Sequence, residues 1–440
     1  MPISPAVWVV KGGNYPVNSS SMDLVDTSLA ETLALSACDP SRQPQIDTGF
    51  STTVTSLQTG VSPDCSYRLV KAAVDAAQHD LCFYIYNISA PYLLDLLCSA
   101  KERGVHVRVM YDVSDSGTAE QHALDNLGVE IKTAPSTDGR KVFTVCHQKF
   151  AVVDDATLLI GSANWAKSSI PLVTIPDKFV KANREWIVRI DNLSLASWFR
   201  TLFDADWNIP VLPSAVPEVE APPPGPTFIP AMLAAPPAQV FDIGQFDLVQ
   251  PVKVTPVLSP NNYYDFVSGL IMAAQTSVDI EQQYILEGGP KTVGLLKALQ
   301  QRKADGIQIR VIVSPAFRKV GATDNWEKSM NSLNKYGLLD CLRAMNLSYF
   351  VHLHNKGVLF DRQRVLVSST NWSENSITCA REAGVLIESP DVAEYYARVF
   401  DLDWSVGWPT AQVPANLTQL FMSAMGVPGG FEEIHPADLS

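Results

Sequence analysis

The chain has 440 residues, 46% of them hydrophobic and 18% charged, with a formal net charge of −13. No apolar run reaches the roughly 18 residues of a membrane-spanning helix, and the acidic balance disfavours a broad nucleic-acid footprint, which needs a basic surface. The length exceeds one ordinary core and fits two domains of about 150 to 200 residues each.

Residues Met1 to Lys11 lack a basic leader and carry only a short apolar run, so no secretory signal is expected and the compartment is left unassigned. The seven cysteines, at 38, 65, 82, 98, 146, 341 and 379, are odd in number and scattered, which argues against a disulfide framework or a zinc site. Residues 1–60, rich in Ser, Thr, Pro and Asp, predict an irregular arm packed on the first domain.

From Tyr67 the pattern changes. Leu69, Val70, Ala73, Val74 and Ala77 fall on one helical face, and Asp80 to Tyr86 reads as a buried strand. A second helix runs from about Tyr92 to Arg103, stops at Gly104, and leads into a strand from Val105 to Tyr111. The same order returns with a helix Tyr263 to Ala274, a strand Ser277 to Ile285, a helix Thr292 to Lys303, a stop at Gly306 and a strand Ile307 to Val313. Alternating strands and helices predict a mixed α/β/α sandwich, each half a largely parallel sheet flanked by helices. The expected division is a first repeat over 61–207, a proline-rich connector over 208–250, a second repeat over 251–408 and a tail over 409–440. Ten prolines between Pro210 and Pro237 make the connector extended and semi-rigid. Both repeats end alike, in Phe203-Asp-Ala-Asp-Trp207 and Phe400-Asp-Leu-Asp-Trp404, which read as helix-end packing motifs.

The most informative repetition is His147-Gln-Lys149-Phe-Ala-Val-Val-Asp154 followed by Ser162, Asn164 and Trp165. Every polar anchor recurs 207 residues later, as His354, Lys356, Asp361, Ser369 and Asn371 with Trp372. One His-x-Lys-x4-Asp match is a common accident, whereas two with matching trailing Ser and Asn are not. Because strand side chains alternate, His and Lys two apart share a face, while Asp154 and Asp361 lie on the other and read as turn caps. Hairpins closing on Asp154-Asp155 and Asp361-Arg362 set Ser162 opposite His147 and Ser369 opposite His354, with Asn164 and Asn371 facing the same way. Two imidazoles, two ammonium groups and polar amides suit phosphodiester transfer: a nucleophile, an acid/base and cations where charge develops. Neither a metal nor a cofactor is called for.

The doubled motif resembles the phospholipase D superfamily, and the resemblance extends over about residues 65 to 408. It implies two domains facing each other about a pseudo-twofold axis, one shared site and a phosphohistidine intermediate, with His147 as nucleophile and His354 as acid/base. It further implies a phospholipid headgroup or other phosphodiester as substrate, by hydrolysis or transfer. A metal-independent nuclease and a non-catalytic lipid-binding protein are the alternatives. Small nucleases of the superfamily carry one motif per chain, and relatives that remove peptide adducts from DNA typically lack the motif Asp. A monomer suffices because both motifs are in one chain, and transient contact with a membrane surface follows from a lipid substrate.

A histidine that attacks needs its second ring nitrogen fixed by a carboxylate or carbonyl. Glu185 and Glu382, at the head of the strand after each motif, are the candidates. Glu382 follows His354 by 28 residues and Glu185 follows His147 by 38, so the first repeat carries ten extra residues, within the loop 168–182. That loop is a lid or acyl-chain contact, or else packs on its own domain. Tyr84, Tyr86 and Glu281, at early strand ends, are candidate pocket residues; Trp165 and Trp372 read as core or pocket-wall aromatics, and Cys146 as a buried small residue.

Overall fold

The computed structural model describes residues 8–10, 38–112, 126, 128–136, 141–210, 239–315, 325–413 and 431–433. The proline-rich run 211–238 and most of the tail lie outside the described residues. In the first repeat, strand β1 (Thr52–Ser62) is followed by α1 (Ser66–Asp75), β2 (Asp80–Ile85), α2 (Pro91–Glu102), β3 (His106–Tyr111) and β4 (Glu130–Thr133). Then come β5 (Phe150–Val153), β6 (Thr157–Gly161), β7 (Glu185–Asp191) and α3 (Leu193–Trp207). The second repeat runs through β8 (Gly244–Ser259), α4 (Tyr263–Ala273), β9 (Ser277–Gln282), α5 (Pro290–Ala304), β10 (Gln308–Val313), α6 (Asn325–Lys335) and β11 (Leu342–Ala344). It closes with β12 (Val358–Phe360), β13 (Arg364–Ser368), α7 (Glu374–Thr378), β14 (Glu382–Glu388), α8 (Pro390–Val406) and β15 (Trp408–Pro409).

The local causes are those of the pattern. Leu69, Val70, Ala73 and Val74 bury one face of α1. Gly104 and Gly306 follow α2 and α5 at φ 91° and 86°, the left-handed helix stop that a Cβ would strain.

Fifteen strands form one sheet in the order β15-β11-β10-β9-β12-β13-β14-β8-β1-β7-β6-β5-β2-β3-β4. Its parallel pairs, β2 with β3 with β4 and β9 with β10 with β11, lie toward the two ends of the sheet, as the β-α-β units require, with only the two-residue β15 added antiparallel beyond β11. The motif strands between them pair antiparallel, so the expected largely parallel sheet describes only the outer strands of each half.

Three expectations are corrected. Residues Thr52–Ser62 of the supposed arm form β1, which pairs with both β7 and β8 at the seam between halves; β8 itself starts at Gly244, inside the expected connector. Cys38 forms a disulfide with Cys379, a pairing 341 residues apart that spacing along the chain could not suggest. Third, the motif hairpins are one residue longer than expected: Val153 pairs with Thr157 and Phe360 with Arg364. In the first, Asp154 and Asp155 adopt left-handed φ of 52° and 51°, Ala156 N donates to Val153 O, and the strand resumes one residue later. The displaced register does not set Ser162 opposite His147 or Ser369 opposite His354.

One hydrophobic core spans both halves. Phe199, Leu202 and Phe203 of α3 share it with Val392, Tyr396, Val399 and Phe400 of α8. The Trp186 and Tyr396 rings pack at a tilt across the boundary, centroids 4.7 Å apart, and the Tyr396 hydroxyl donates to Ile187 O at 2.7 Å. Two buried arginines cross the same boundary. Arg184 donates to Asp403 at 2.7 and 3.0 Å and to Asp64 at 2.7 Å, while Arg381 donates to Asp206 at 2.9 and 2.8 Å. The helix-end motifs therefore do more than pack: the last Asp of each anchors the arginine of the other repeat.

Removing one partner of a buried ion pair leaves an uncompensated charge at a cost of about 3–5 kcal/mol. Arg381→Met is expected to lower unfolding stability by that order in urea titrations. Adding Asp206→Leu should restore most of the loss, and an unchanged midpoint in the double variant would show that the charge is not the cause.

Candidate active site

The site begins as backbone pairing between the repeats. His147 N donates to Arg381 O and Arg381 N to Val145 O, both at 2.8 Å. Symmetrically, Arg184 N donates to His352 O at 2.8 Å and His354 N to Arg184 O at 3.1 Å. Each His-x-Lys segment is thus laid beside the Arg-Glu step of the opposite repeat, and the side chains follow. His147 Nδ1 lies 3.0 Å from both oxygens of Glu382, and His354 Nδ1 lies 2.8 Å from Glu185 Oε1. The carboxylate that holds each imidazole comes from the other half of the chain.

With each Nδ1 so engaged, Nε2 is the ring nitrogen left for a substrate. The two imidazole centroids are 6.1 Å apart. Lys149 and Lys356, both buried, donate to the carbonyls of His147 and His354. Tyr86 completes one wall, its ring 4.8 Å from that of His147 and 5.1 Å from Lys149 Nζ.

The serines do not present their hydroxyls to the space between the histidines. Ser162 donates to Glu185 at 2.6 Å and accepts from Trp186 N; Ser369 donates to Glu382 at 2.6 Å and accepts from Ala383 N. With donor and acceptor both engaged, they brace the carboxylates, which corrects the phosphate-binding half of their expected role. Asn164 and Asn371, two residues on, each retain a buried amide oxygen without a hydrogen-bond partner.

Asp154 accepts from the amides of Gln78, His79 and Asp80, and Asp361 from those of Gln275, Thr276 and Ser277. Burial raises both carboxyls, but the amide bonds outweigh it and hold them below the ordinary value. Both serve their hairpin and the strand beside it. Tyr84 and Glu281 are corrected as pocket candidates: the Tyr84 hydroxyl donates to Asp206 at 3.2 Å, and Glu281 accepts from Asn355 at 2.9 Å, in the buried layer of the arginine–aspartate pairs. Trp165 packs on Phe83 at 4.1 Å and Trp372 donates to the Tyr263 hydroxyl, so both are core residues. Cys146 is buried.

His352 was not legible from motif matching. It lies two residues before His354, its ring 5.8 Å from that of His354 and its Nδ1 2.5 Å from Ser314 Oγ. The first repeat has Val145 in its place, and the available signal was the i, i+2, i+4 run His352, His354, Lys356 on one strand face.

The electrostatics are unequal across the axis. Burial pushes Lys356 down to about 8 and Lys149 well below the lysine range, the latter also repelled by Lys356. Burial, with the lysine charges, holds His147 well below the histidine range and His354 at about 4. Burial lifts Glu382 to about 8. It also raises Glu185, but His354, Lys356 and Ser162 outweigh it and leave Glu185 below the carboxylate range. The Glu382 carboxyl is thus shifted up and the Glu185 carboxyl down, so the two pairs differ electrostatically. Among the described residues no group of three or more His, Cys, Asp or Glu is arranged to hold a metal ion.

A family model described as "Cardiolipin synthase, PLD-like domain" matches residues 70–207 and again 267–404. Each match contains one full His, Lys, Ser, Asn and Glu set. Human mitochondrial cardiolipin hydrolase is 30% identical over 132 residues, which are 28% of this chain and 49% of that protein. The Xenopus tropicalis mitochondrial cardiolipin hydrolase is 28% identical over 135 residues, 30% of this chain and 56% of that one. The chain therefore spans about half the length of the curated relatives it matches. The crystal structure of phosphatidylserine synthase from Haemophilus influenzae Rd KW20 aligns over 89% of this chain and 94% of that one, with a TM-score of 0.55 at 14% identity, a likeness of fold.

The crossed pairing makes a spectroscopic prediction. In histidine-labelled protein, Glu382→Gln is expected to perturb the ring nitrogens of His147, in the other repeat, and to leave His354 largely unchanged. Glu185→Gln should do the reverse. Perturbation of the same-repeat histidine in both variants would refute the crossed arrangement.

Proposed function

The chain belongs to the phospholipase D-like family whose model it matches twice, and from that premise we propose that it is a phosphodiesterase that cleaves a phospholipid headgroup ester through a phosphohistidine. The observation that supports this most directly is the pair of imidazoles 6.1 Å apart, each fixed by a carboxylate from the opposite repeat and flanked by a buried lysine. A phosphodiester anion between them supplies the negative charge that two buried ammonium groups lack.

The inequality of the two pairs supports one division of roles. His147, which burial holds well below the histidine range, keeps its Nε2 lone pair and attacks phosphorus. His354, beside the ionised Glu185, is the better placed to carry a proton once the bound phosphate offsets the lysine charges, and it donates that proton to the leaving oxygen as the P–O bond breaks. The positive charge formed at His147 is stabilised through the Nδ1 contact with Glu382 at 3.0 Å, the Nδ1 proton staying on the ring. Water, or an alcohol in a transfer reaction, then loses its proton to His354 and attacks phosphorus, and the P–N bond breaks. Lys149, Lys356 and the amides of Asn164 and Asn371 hold the non-bridging oxygens through both steps. Asp154 and Asp361 stay with their hairpins. The scheme uses no metal or cofactor, and one chain supplies the whole site.

Release of headgroup from cardiolipin or phosphatidylcholine vesicles, measured with a chelator present, tests the reaction. His147→Asn and His354→Asn should each lower kcat by at least about 10²–10⁴-fold, with acid-labile phosphate trapped on protein in His354→Asn and never in His147→Asn. Plasmid nicking without lipid cleavage would overturn the lipid assignment, and full activity in either variant the two-histidine scheme.

A second prediction concerns pH. Lys356, depressed to about 8, is charged below that value and loses its charge above it. The kcat/KM of the wild type is expected to fall as pH rises through about 8, whereas Lys356→Arg, whose side chain does not titrate there, should lose that alkaline limb.

A further inference from the structure

The ten extra residues of the first repeat form a loop with a fixed base and a greasy tip. The base is anchored: Ile170, Val173 and Phe179 are buried, Asn183 N donates to Ser168 O at 2.7 Å, Asn183 Nδ2 donates to Ser169 Oγ at 3.1 Å, and the Tyr92 hydroxyl donates to Ile170 O at 2.6 Å. Phe179 packs on Phe350 at 6.0 Å, just ahead of His352 and His354, so the loop touches both halves of the site. Between these anchors Leu172 is 50% and Ile175 56% exposed, two of the five large hydrophobic residues so exposed among the described residues. Thr174, Pro176 and Lys178 are exposed beside them.

A loop held this firmly could bury its apolar side chains, and Ile170, Val173 and Phe179 show that it does so at neighbouring positions. Leaving Leu172 and Ile175 in water costs hydrophobic free energy that only an apolar partner returns. The charge identifies the partner. Residues 166–182 carry three lysines, Lys167, Lys178 and Lys181, and one acid, Asp177, in a chain whose net charge is −13. Burial lowers the Lys181 ammonium below its usual value, a loss that an anionic surface would reverse. Exposed apolar side chains in a segment with an excess of lysine fit the interface of an anionic bilayer, where hydrocarbon takes the tips and headgroups the cations. The loop also begins three residues after Trp165 and ends three residues before Glu185, so its seating places the site at that surface.

We infer that the loop 168–182 docks the protein on anionic phospholipid surfaces, with Leu172 and Ile175 inserted and Lys178 and Lys181 on the headgroups. The inference rests on the phospholipid reading above in taking the bilayer as the source of substrate. Among the described residues no helix is long and apolar enough to cross a membrane, so the loop is an interfacial contact and not a span.

The test is co-sedimentation of the full chain with vesicles of phosphatidylcholine alone or mixed equally with phosphatidylglycerol. The wild type should prefer the mixed vesicles. Leu172→Ser/Ile175→Ser should bind them on the order of ten- to a hundredfold more weakly, and Lys178→Glu should also weaken binding. Turnover of soluble bis(p-nitrophenyl) phosphate by the double variant should match the wild type. Independently, Leu172→Trp should add a fluorescence component that shifts to the blue with mixed vesicles. Equal binding by the double variant, equal binding to neutral vesicles, or no blue shift would each overturn the inference. Loop-dependent binding without turnover of any diester would overturn the proposed reaction and leave the docking surface standing.

Discussion

The structure turns on an exchange between its halves: the carboxylate that orients each histidine belongs to the other repeat. Two buried Nδ1···carboxylate contacts cannot form unless the halves meet to within a few tenths of an ångström, and the neighbouring residues ensure that they do. Arg184 and Arg381 precede Glu185 and Glu382, pair by backbone with the opposite motif strand, and drive their guanidinium groups into Asp403 and Asp206 at the ends of the opposite helices. A guanidinium fork binding a carboxylate through two parallel bonds fixes direction as well as distance. The Arg-Glu dipeptide is therefore the hinge pin of the molecule, its first residue setting where the halves meet and its second using that meeting.

The same arrangement explains why so much of the core is shared. A site made jointly by two repeats tolerates little relative motion, since small misplacements of reacting groups are costly. The interface is built like a domain interior, with α3 and α8 in one hydrophobic cluster and β1 beside β8 continuing the sheet through the boundary. The buried ion pairs inside it are poor sources of net stability but exacting about geometry. In this protein the energy comes from the aromatic and aliphatic contacts, and the register from the charges.

The α/β class, the two β-α-β units and the grouping of His and Lys were legible because each rests on local periodicity. Strand alternation alone places His147 with Lys149 on one face and Asp154 on the other. The crossed contacts were not legible, because no local period reports which half a glutamate reaches; the 28-residue spacing of His354 and Glu382 suggests a partnership within one repeat that the fold does not use. The hairpin register failed by one residue on the left-handed conformation of two consecutive residues, which Asp favours but does not dictate. Cys38 and Cys379 are too far apart along the chain for spacing to pair them, and His352 has no counterpart in the first copy. Repetition makes shared residues conspicuous and hides the unshared ones.

Those unshared residues bear on a problem that a duplicated fold must solve. Two equal repeats give two equal histidines, whereas transfer through a covalent intermediate needs one nucleophile and one acid. The departures from symmetry lie where that distinction could be made. Tyr84, whose hydroxyl donates a hydrogen bond to Asp206, is matched in the second repeat by Glu281, which lies in the layer of Asp403 and whose burial raises it well above the carboxylate range. Asp112, which accepts from Cys146 N, is matched by Ser314, which meets His352 and Leu353 N. The first repeat keeps an acidic side chain behind its motif where the second has a hydroxyl and an added imidazole. Burial then acts on unequal surroundings, lifting Glu382 and leaving Glu185 ionised. Symmetry builds the site, and its local failures make the two halves chemically different.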